Sequence, residues 1–153
     1  MKILLLADPD CPHTIKWAKS LAEKNIRIFI FGLNSFDASI YEGCKNITIA
    51  NFNFNPQKHK EGSFLKLKYV KVIPQLKKVL REFKPDIVHA HYASSYGLIG
   101  SLLNFKPYII SVWGTDIYDF PQKSFLHKLL IKNNLRRADK VLSTSMAMAK
   151  ETS

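Results

Sequence analysis

Apolar residues come in short blocks along this chain, and the blocks alternate between two periods. Lys2 to Ala7 is a near-continuous apolar run, the pattern of a strand buried on both faces. Thr14 to Lys24 places Ile15, Ala18, Leu21 and Ala22 at helical spacing. Ile26 to Gly32 reads as a second strand and Ile47 to Phe52 as a third; a polar loop rich in Asn and Lys runs from Asn51 to Gly62. Leu65, Tyr69, Val72, Ile73, Leu76, Val79, Leu80 and Phe83 form one helical stripe. Pro74 must kink that helix or start a second one, because it lacks an N–H and clashes with the preceding turn. Asp86 to His91 and Pro107 to Val112 are strands on either side of a short helix, Ser94 to Leu103, whose Gly97 and Gly100 allow close packing on a sheet. Ser124 to Arg137 reads as a helix with Phe125, Leu129 and Leu130 inward. Lys140 to Ser143 is a last strand, and Ser145 to Thr152 begins another helix. Strand–helix alternation at this spacing implies right-handed βαβ units. The expected fold is α/β, a parallel sheet with helices on both faces.

The length of 153 residues suits one domain with a real core. A helix just beginning where the chain stops suggests a domain cut from a longer protein. Cys11 and Cys44 lie in loops without metal-ligand spacing, so they read as free thiols in a reducing compartment. The apolar run at the start is too short for a signal peptide and ends at Asp8. No run approaches membrane-span length. These features place the chain in the cytoplasm, with neither a metal nor a cofactor expected.

Charge changes the picture more. The net charge is +11, which demands an anionic partner or surface. It is concentrated in two segments. Lys66, Lys68, Lys71, Lys77, Lys78, Arg81 and Lys84 face Glu82 alone; Lys123, Lys128, Lys132, Arg136, Arg137 and Lys140 face Asp139 alone. Two basic helices suit peripheral contact with an anionic inner-membrane surface. None of the aromatic and basic motifs of common RNA folds is legible, so no nucleic-acid partner is expected. A non-enzymatic basic binding module remains an alternative.

The residues able to do chemistry sit at strand ends, where open α/β sheets bind ligands. Asp8-Pro-Asp-Cys-Pro-His-Thr14 joins the first strand to the first helix. It lacks the glycines of a dinucleotide-binding turn, and two prolines stiffen it. It either presents a helix N-terminus to a ligand or merely caps the helix through His13 or Thr14. His89 and His91 share a strand face by alternation; His91 ends the strand beside Tyr92, and His89, one pleat deeper, reads as a hydrogen-bonded core residue. Trp113-Gly-Thr-Asp116 follows the next strand. Gly114 allows a tight turn, Thr115 and Asp116 can bond hydroxyls, and Trp113 offers its ring to the cleft or to the core.

Taken in order, the first loop and helix, Lys84-Pro-Asp-Ile-Val-His-Ala-His-Tyr, Ser111-Val-Trp-Gly-Thr-Asp-Ile and Arg137-Ala-Asp-Lys-Val-Leu-Ser-Thr-Ser resemble the N-terminal half of family 4 glycosyltransferases over nearly the whole chain. The resemblance implies one Rossmann-like domain, residues 1–153, of a two-domain GT-B enzyme. That half binds the acceptor. A C-terminal donor-binding domain, absent from this chain, binds the nucleotide sugar. The implied activity is retaining transfer from a nucleotide-sugar donor to a lipid-linked or polysaccharide acceptor, with this piece alone inactive. His91 and Asp116 become catalytic candidates; Asp8, His13, Thr14, Tyr92, Trp113, Gly114 and Thr115 become substrate-binding candidates. Gly114 and Asp116 match a family His-Gly-x-Asp pattern in which Trp113 replaces the His. Where many members carry a Gly-Gly pair, the first loop here has Pro-Asp-Cys-Pro-His. An epimerase of nucleotide sugars, also built from two such domains, is the rival reading. A two-component receiver domain shares the alternation and the acidic pair Asp8 and Asp10, but its third strand should end in Asp.

Overall fold

The computed structural model describes residues 1–52 and 69–152. Lys66 and Lys68 of the first basic cluster, Leu65, and most of the Asn-rich loop lie outside the described residues.

Six strands form one sheet: β1 (Lys2–Leu6), β2 (Arg27–Gly32), β3 (Ile47–Asn51), β4 (Ile87–His91), β5 (Tyr108–Ser111) and β6 (Lys140–Leu142). Every pairing is parallel, in the order β3-β2-β1-β4-β5-β6. This is the parallel α/β sheet that the alternation implies. The order reverses between β1 and β4, so the loops leaving these two strands diverge and open a crevice. The fold therefore places its site where the sequence puts Asp8 and His91.

Alternation along β1 explains its unbroken apolar run. Leu4 and Leu6 enter a core with Phe31, Val88, Ile99 and Ile110. Ile3 and Leu5 enter a second core on the other face, with Ala18, Ile28, Ile30 and Tyr41. Helix α1 (Pro12–Ala22) and a 3-10 turn (Ala38–Tyr41) cover that second face. Helices α2 (Ile73–Phe83) and α3 (Ser95–Leu103) cover the first. Beyond β5 come a short helical turn α4 (Thr115–Tyr118), a 3-10 turn (Phe120–Lys123), α5 (Phe125–Arg137), and after β6 the helix α6 (Met146–Glu151). Gly100 lets α3 lie close to the sheet, because a Cβ there would overlap the ring of Tyr108.

Three sequence readings change in detail. Pro74 sits in the first turn of α2, so it starts a helix where its missing N–H costs nothing. Likewise α1 begins at Pro12, two residues ahead of Thr14, and its N-terminus has no side-chain cap. The third change is the rotation of α5. Phe125 is 78% exposed and Leu129 50% exposed, although both were expected inward. Ile131 and Asn134 face the core instead. Periodicity supplies a stripe, but which stripe turns inward depends on the surfaces that receive it. Ser124 fixes the start of α5 by accepting the His127 N–H.

Candidate functional site

The carboxyl ends of β1, β4 and β5 are neighbours in the sheet, so their loops converge. The loop after β4 is built around Tyr92 and Ala93. Tyr92 has φ +80°, a conformation that bulky side chains rarely adopt. It is held there by its N–H donating to the Ser111 carbonyl (2.9 Å) and by its carbonyl accepting from Gly97 (2.8 Å). Strain of this kind costs on the order of 1–3 kcal/mol and collects at functional sites.

Asp116 organises the next loop. It is 1% exposed. Its Oδ1 accepts the N–H groups of Trp113 and Gly114, both at 3.0 Å. Its Oδ2 reaches across to accept the Ala93 N–H at 2.7 Å. The Ala93 carbonyl in turn accepts from Asn134 Nδ2 at 2.9 Å. One carboxylate and one amide thus tie the β4 loop to the β5 loop and to α5. Gly114 has φ +116°, which explains glycine there through its backbone, since a Cβ would meet nothing within 4 Å. Asp116 has both oxygens engaged, so it acts on the site by shaping it.

The histidines stack into one cluster. His89 and His91 lie 4.9 Å apart between ring centroids, on the same strand face as alternation requires. His89 Nε2 pairs with Ser111 Oγ at 2.8 Å. His91 Nδ1 pairs with Thr14 Oγ1 at 3.3 Å, which links β4 to the first turn of α1. His91 Nε2 is buried without a hydrogen-bond partner among the described residues. Trp17 and Trp113 pack edge-on against His91 at 5.9 and 5.3 Å. Trp113 stacks flat on His13, with centroids 4.3 Å apart and planes 15° apart. Tyr92 Oη and the exposed Thr115 Oγ1 share a 2.7 Å hydrogen bond at the rim. Asp8, at the end of β1, accepts the Asp10 N–H.

Burial sets the electrostatics of this cluster. Desolvation pushes His91 from the ordinary 6.5 down to about 3, with His89 and His13 adding like-charge repulsion. Desolvation alone takes His89 to about 4. Both imidazoles are neutral at physiological pH. His91 can therefore hold a hydrogen bond but carries no charge toward a ligand.

All nine site candidates lie on the strand ends, loops and first helical turns of this one edge. The structure divides them by depth. Thr14, His91 and Asp116 are buried; Asp8, Tyr92, Trp113 and Gly114 are half-buried; His13 and Thr115 are exposed. Trp17 and Asn134 are participants that the sequence reading passed over. Trp17 looked like one more apolar residue of an amphipathic helix. Asn134 carried a weak signal: an amide on the same stripe as Ile131 and Leu135.

No group of three His, Cys, Asp or Glu among the described residues could hold a metal ion. Likewise, no described helix is long and apolar enough to cross a membrane.

Residues 2–145 match the family model described as Glycosyl transferase 4-like. Three solved structures share the fold. Sucrose-phosphate synthase from Thermosynechococcus elongatus superposes with TM-score 0.74 at 14% identity, over 98% of this chain and 44% of that one. A UDP-N-acetylglucosamine 2-epimerase gives 0.67 at 15% identity, over 99% and 44%. The S. aureus MnaA–UDP co-structure gives 0.63 at 19% identity, over 99% and 40%. The chain thus spans less than half the length of each. Among curated protein sequences none matches it.

Two consequences can be measured. Asp116→Ala leaves three backbone N–H groups without their acceptor, and unmet buried donors cost about 1–3 kcal/mol each before relaxation. A loss of about 3 kcal/mol in urea unfolding is expected; a loss under 0.5 kcal/mol would mean that the loops do not depend on this carboxylate. The second concerns pH. The unfolded chain protonates His91 below about 6.5, and the folded chain does so only near 3. Stability is therefore lost as pH falls through that window, by up to about 1.4 kcal/mol per pH unit for this one group. Between pH 6 and 5, His91→Asn should have a stability slope shallower by about that amount.

Proposed function

Because the chain belongs to the glycosyl transferase 4-like family, we propose that it is the acceptor-side domain of a retaining glycosyltransferase. The donor, a nucleotide sugar, is held by a second domain across the crevice. The observation that carries this reading is the convergence of the β1, β4 and β5 loops at the reversal of strand order, beside a strained Tyr92 and a rigid Asp116 clamp.

A retaining transfer needs the acceptor hydroxyl held close to the anomeric carbon and the departing diphosphate stabilised. Positioning and fixed dipoles supply most of this. On this side of the crevice the acceptor meets Thr115 and His13 first, since these are the groups least covered, and Tyr92 is hydrogen-bonded to Thr115. Neutral His91 packs against Trp113, and its Nε2 has no hydrogen-bond partner among the described residues. It can bond an acceptor hydroxyl if Trp113 moves aside. A pKa near 3 makes it a weak general base, so its contribution is orientation.

The epimerase reading draws on a shared fold with the UDP-N-acetylglucosamine 2-epimerase. Fold is common to both classes, and the family match favours transfer. One assay separates them. The full-length protein is incubated with UDP-sugars, with and without oligosaccharide and lipid-linked acceptors. Release of UDP that depends on an acceptor, with retained anomeric configuration by NMR, supports the transferase. Interconversion of the UDP-sugar with no acceptor would overturn it.

The protein works against an anionic membrane face. Helix α5 supports this: Phe125, Leu126 and Leu129 are exposed, and Lys123, Lys128, Lys132 and Arg136 surround them. Apolar residues can enter the headgroup boundary while lysines meet anionic lipid, at about 1 kcal/mol per cation. Binding to vesicles containing phosphatidylglycerol should exceed binding to neutral vesicles and fall as salt rises. A Phe125→Ser, Leu129→Ser variant should bind at least about tenfold more weakly. Equal binding to both vesicle types would end the membrane reading.

A further inference from the structure

A groove of about 460 Å³ lies between α1 and the segments that follow β5 and β6. Trp17, Leu21 and Trp113 form its floor, and Lys16 and Lys24 stand on its rim. His13 lies at its mouth, stacked on Trp113. The chain has two tryptophans, and both are in this groove.

The residue spacing explains the shape. His13, Trp17 and Leu21 follow one another at four-residue intervals, so they form one stripe of α1. At 1.5 Å per residue the stripe is about 12 Å long. Lys16 and Lys24, eight positions apart, flank it along a similar length. Among the described residues no acidic side chain lines the groove; the remaining lining side chains are the hydroxyls of Ser20 and Thr144.

Trp17 turns from α1 toward the sheet, where it meets His89 and His91 edge-on (5.2 and 5.9 Å), yet it remains half-buried and lines the groove. Trp113 is likewise held half-buried, by His13 on its face and by its own N–H on Asp116. The outcome is a groove lined by two aromatic side chains, two hydroxyls and two lysines.

We propose that this groove binds an acidic glycan chain. The statement rests on the glycosyltransferase reading and narrows its acceptor to a sugar polymer bearing carboxylate or phosphate groups. Aromatic faces carry negative charge density that attracts the C–H face of a pyranose ring. Two separated cations favour a chain with repeated charges over a ligand with a single anionic head. The groove opens at the edge where the acceptor's terminal hydroxyl would have to meet the donor, so a bound chain points its end toward the crevice.

Tryptophan fluorescence of the chain reads the groove directly and requires no turnover. A tetragalacturonate is expected to shift the emission with saturation, and the neutral maltotetraose is not. Lys16→Glu with Lys24→Glu should weaken tetragalacturonate at least about tenfold, as the loss of two ion pairs would. Lys77→Glu with Lys78→Glu makes the same charge change on α2 and should weaken it less than about twofold. Equal losses in the two double variants would overturn the proposal, because the binding would then be general polyanion attraction. So would saturation by tetraglutamate with similar affinity, or by dodecyl phosphate in preference to the glycan. Trp17→Phe keeps the floor apolar and the fold intact, and should retain binding with a reduced signal change; complete loss of binding in a folded Trp17→Phe would also count against a stacking groove. A full-length protein that releases UDP with acceptor while this groove binds nothing would leave the transferase reading standing and remove only the acidic-glycan one.

Discussion

The carboxylate of Asp116 is the constraint on which the site depends. It joins three backbone N–H groups, those of Ala93, Trp113 and Gly114, from two loops far apart in sequence. Parallel strands bring their carboxyl ends together, but the loops leaving them have no ladder partners of their own. Without an internal acceptor, buried N–H groups would have to reach water or stay unmet. Asp116 supplies that acceptor, and Asn134 fixes the Ala93 carbonyl from the opposite side. The unfavourable φ of Tyr92 and the glycine-only turn at Gly114 persist because this network over-determines the backbone around them.

Once the loops are pinned, the aromatic cluster follows. Thr14 joins α1 to His91, Trp17 closes over both strand histidines, and Trp113 lies between His91 and His13. The cluster is buried and therefore uncharged, with His89 and His91 well below their ordinary range. Most of the described lysines and arginines are exposed and lie outside it. That separation suits a surface which positions a hydroxyl-rich ligand with neutral groups and attracts it, or an anionic surface, with peripheral cations.

The chain belongs to the glycosyl transferase 4-like family, and it spans less than half the length of the full sucrose-phosphate synthase and of the two other structures compared above. The described site offers hydroxyls, neutral imidazoles and aromatic faces, which are groups for holding a sugar.

Much of this was legible in the residues alone. Buried parallel strands leave apolar runs, so the strands read at Lys2 to Ala7 and Asp86 to His91 fall within a residue of the observed Lys2–Leu6 and Ile87–His91, and the α/β fold followed from their alternation with helices. Chemistry at strand ends could be read too, because a polar residue after an apolar run has few other places to go. Facing was not legible. The same periodicity in α5 allowed Phe125 to point inward or outward, and the contacts of Ile131 and Asn134 decided it. Depth was not legible either: Asp116 and Thr115 are adjacent in sequence, yet one is buried as a clamp and the other is exposed. Nor could Trp17 be told from an ordinary core residue until β4 set two histidines against it. Sequence determines which residues share a face or an edge, because that depends on local geometry. Partners brought from distant parts of the chain determine which side chains are covered, and with that their charge state and their role.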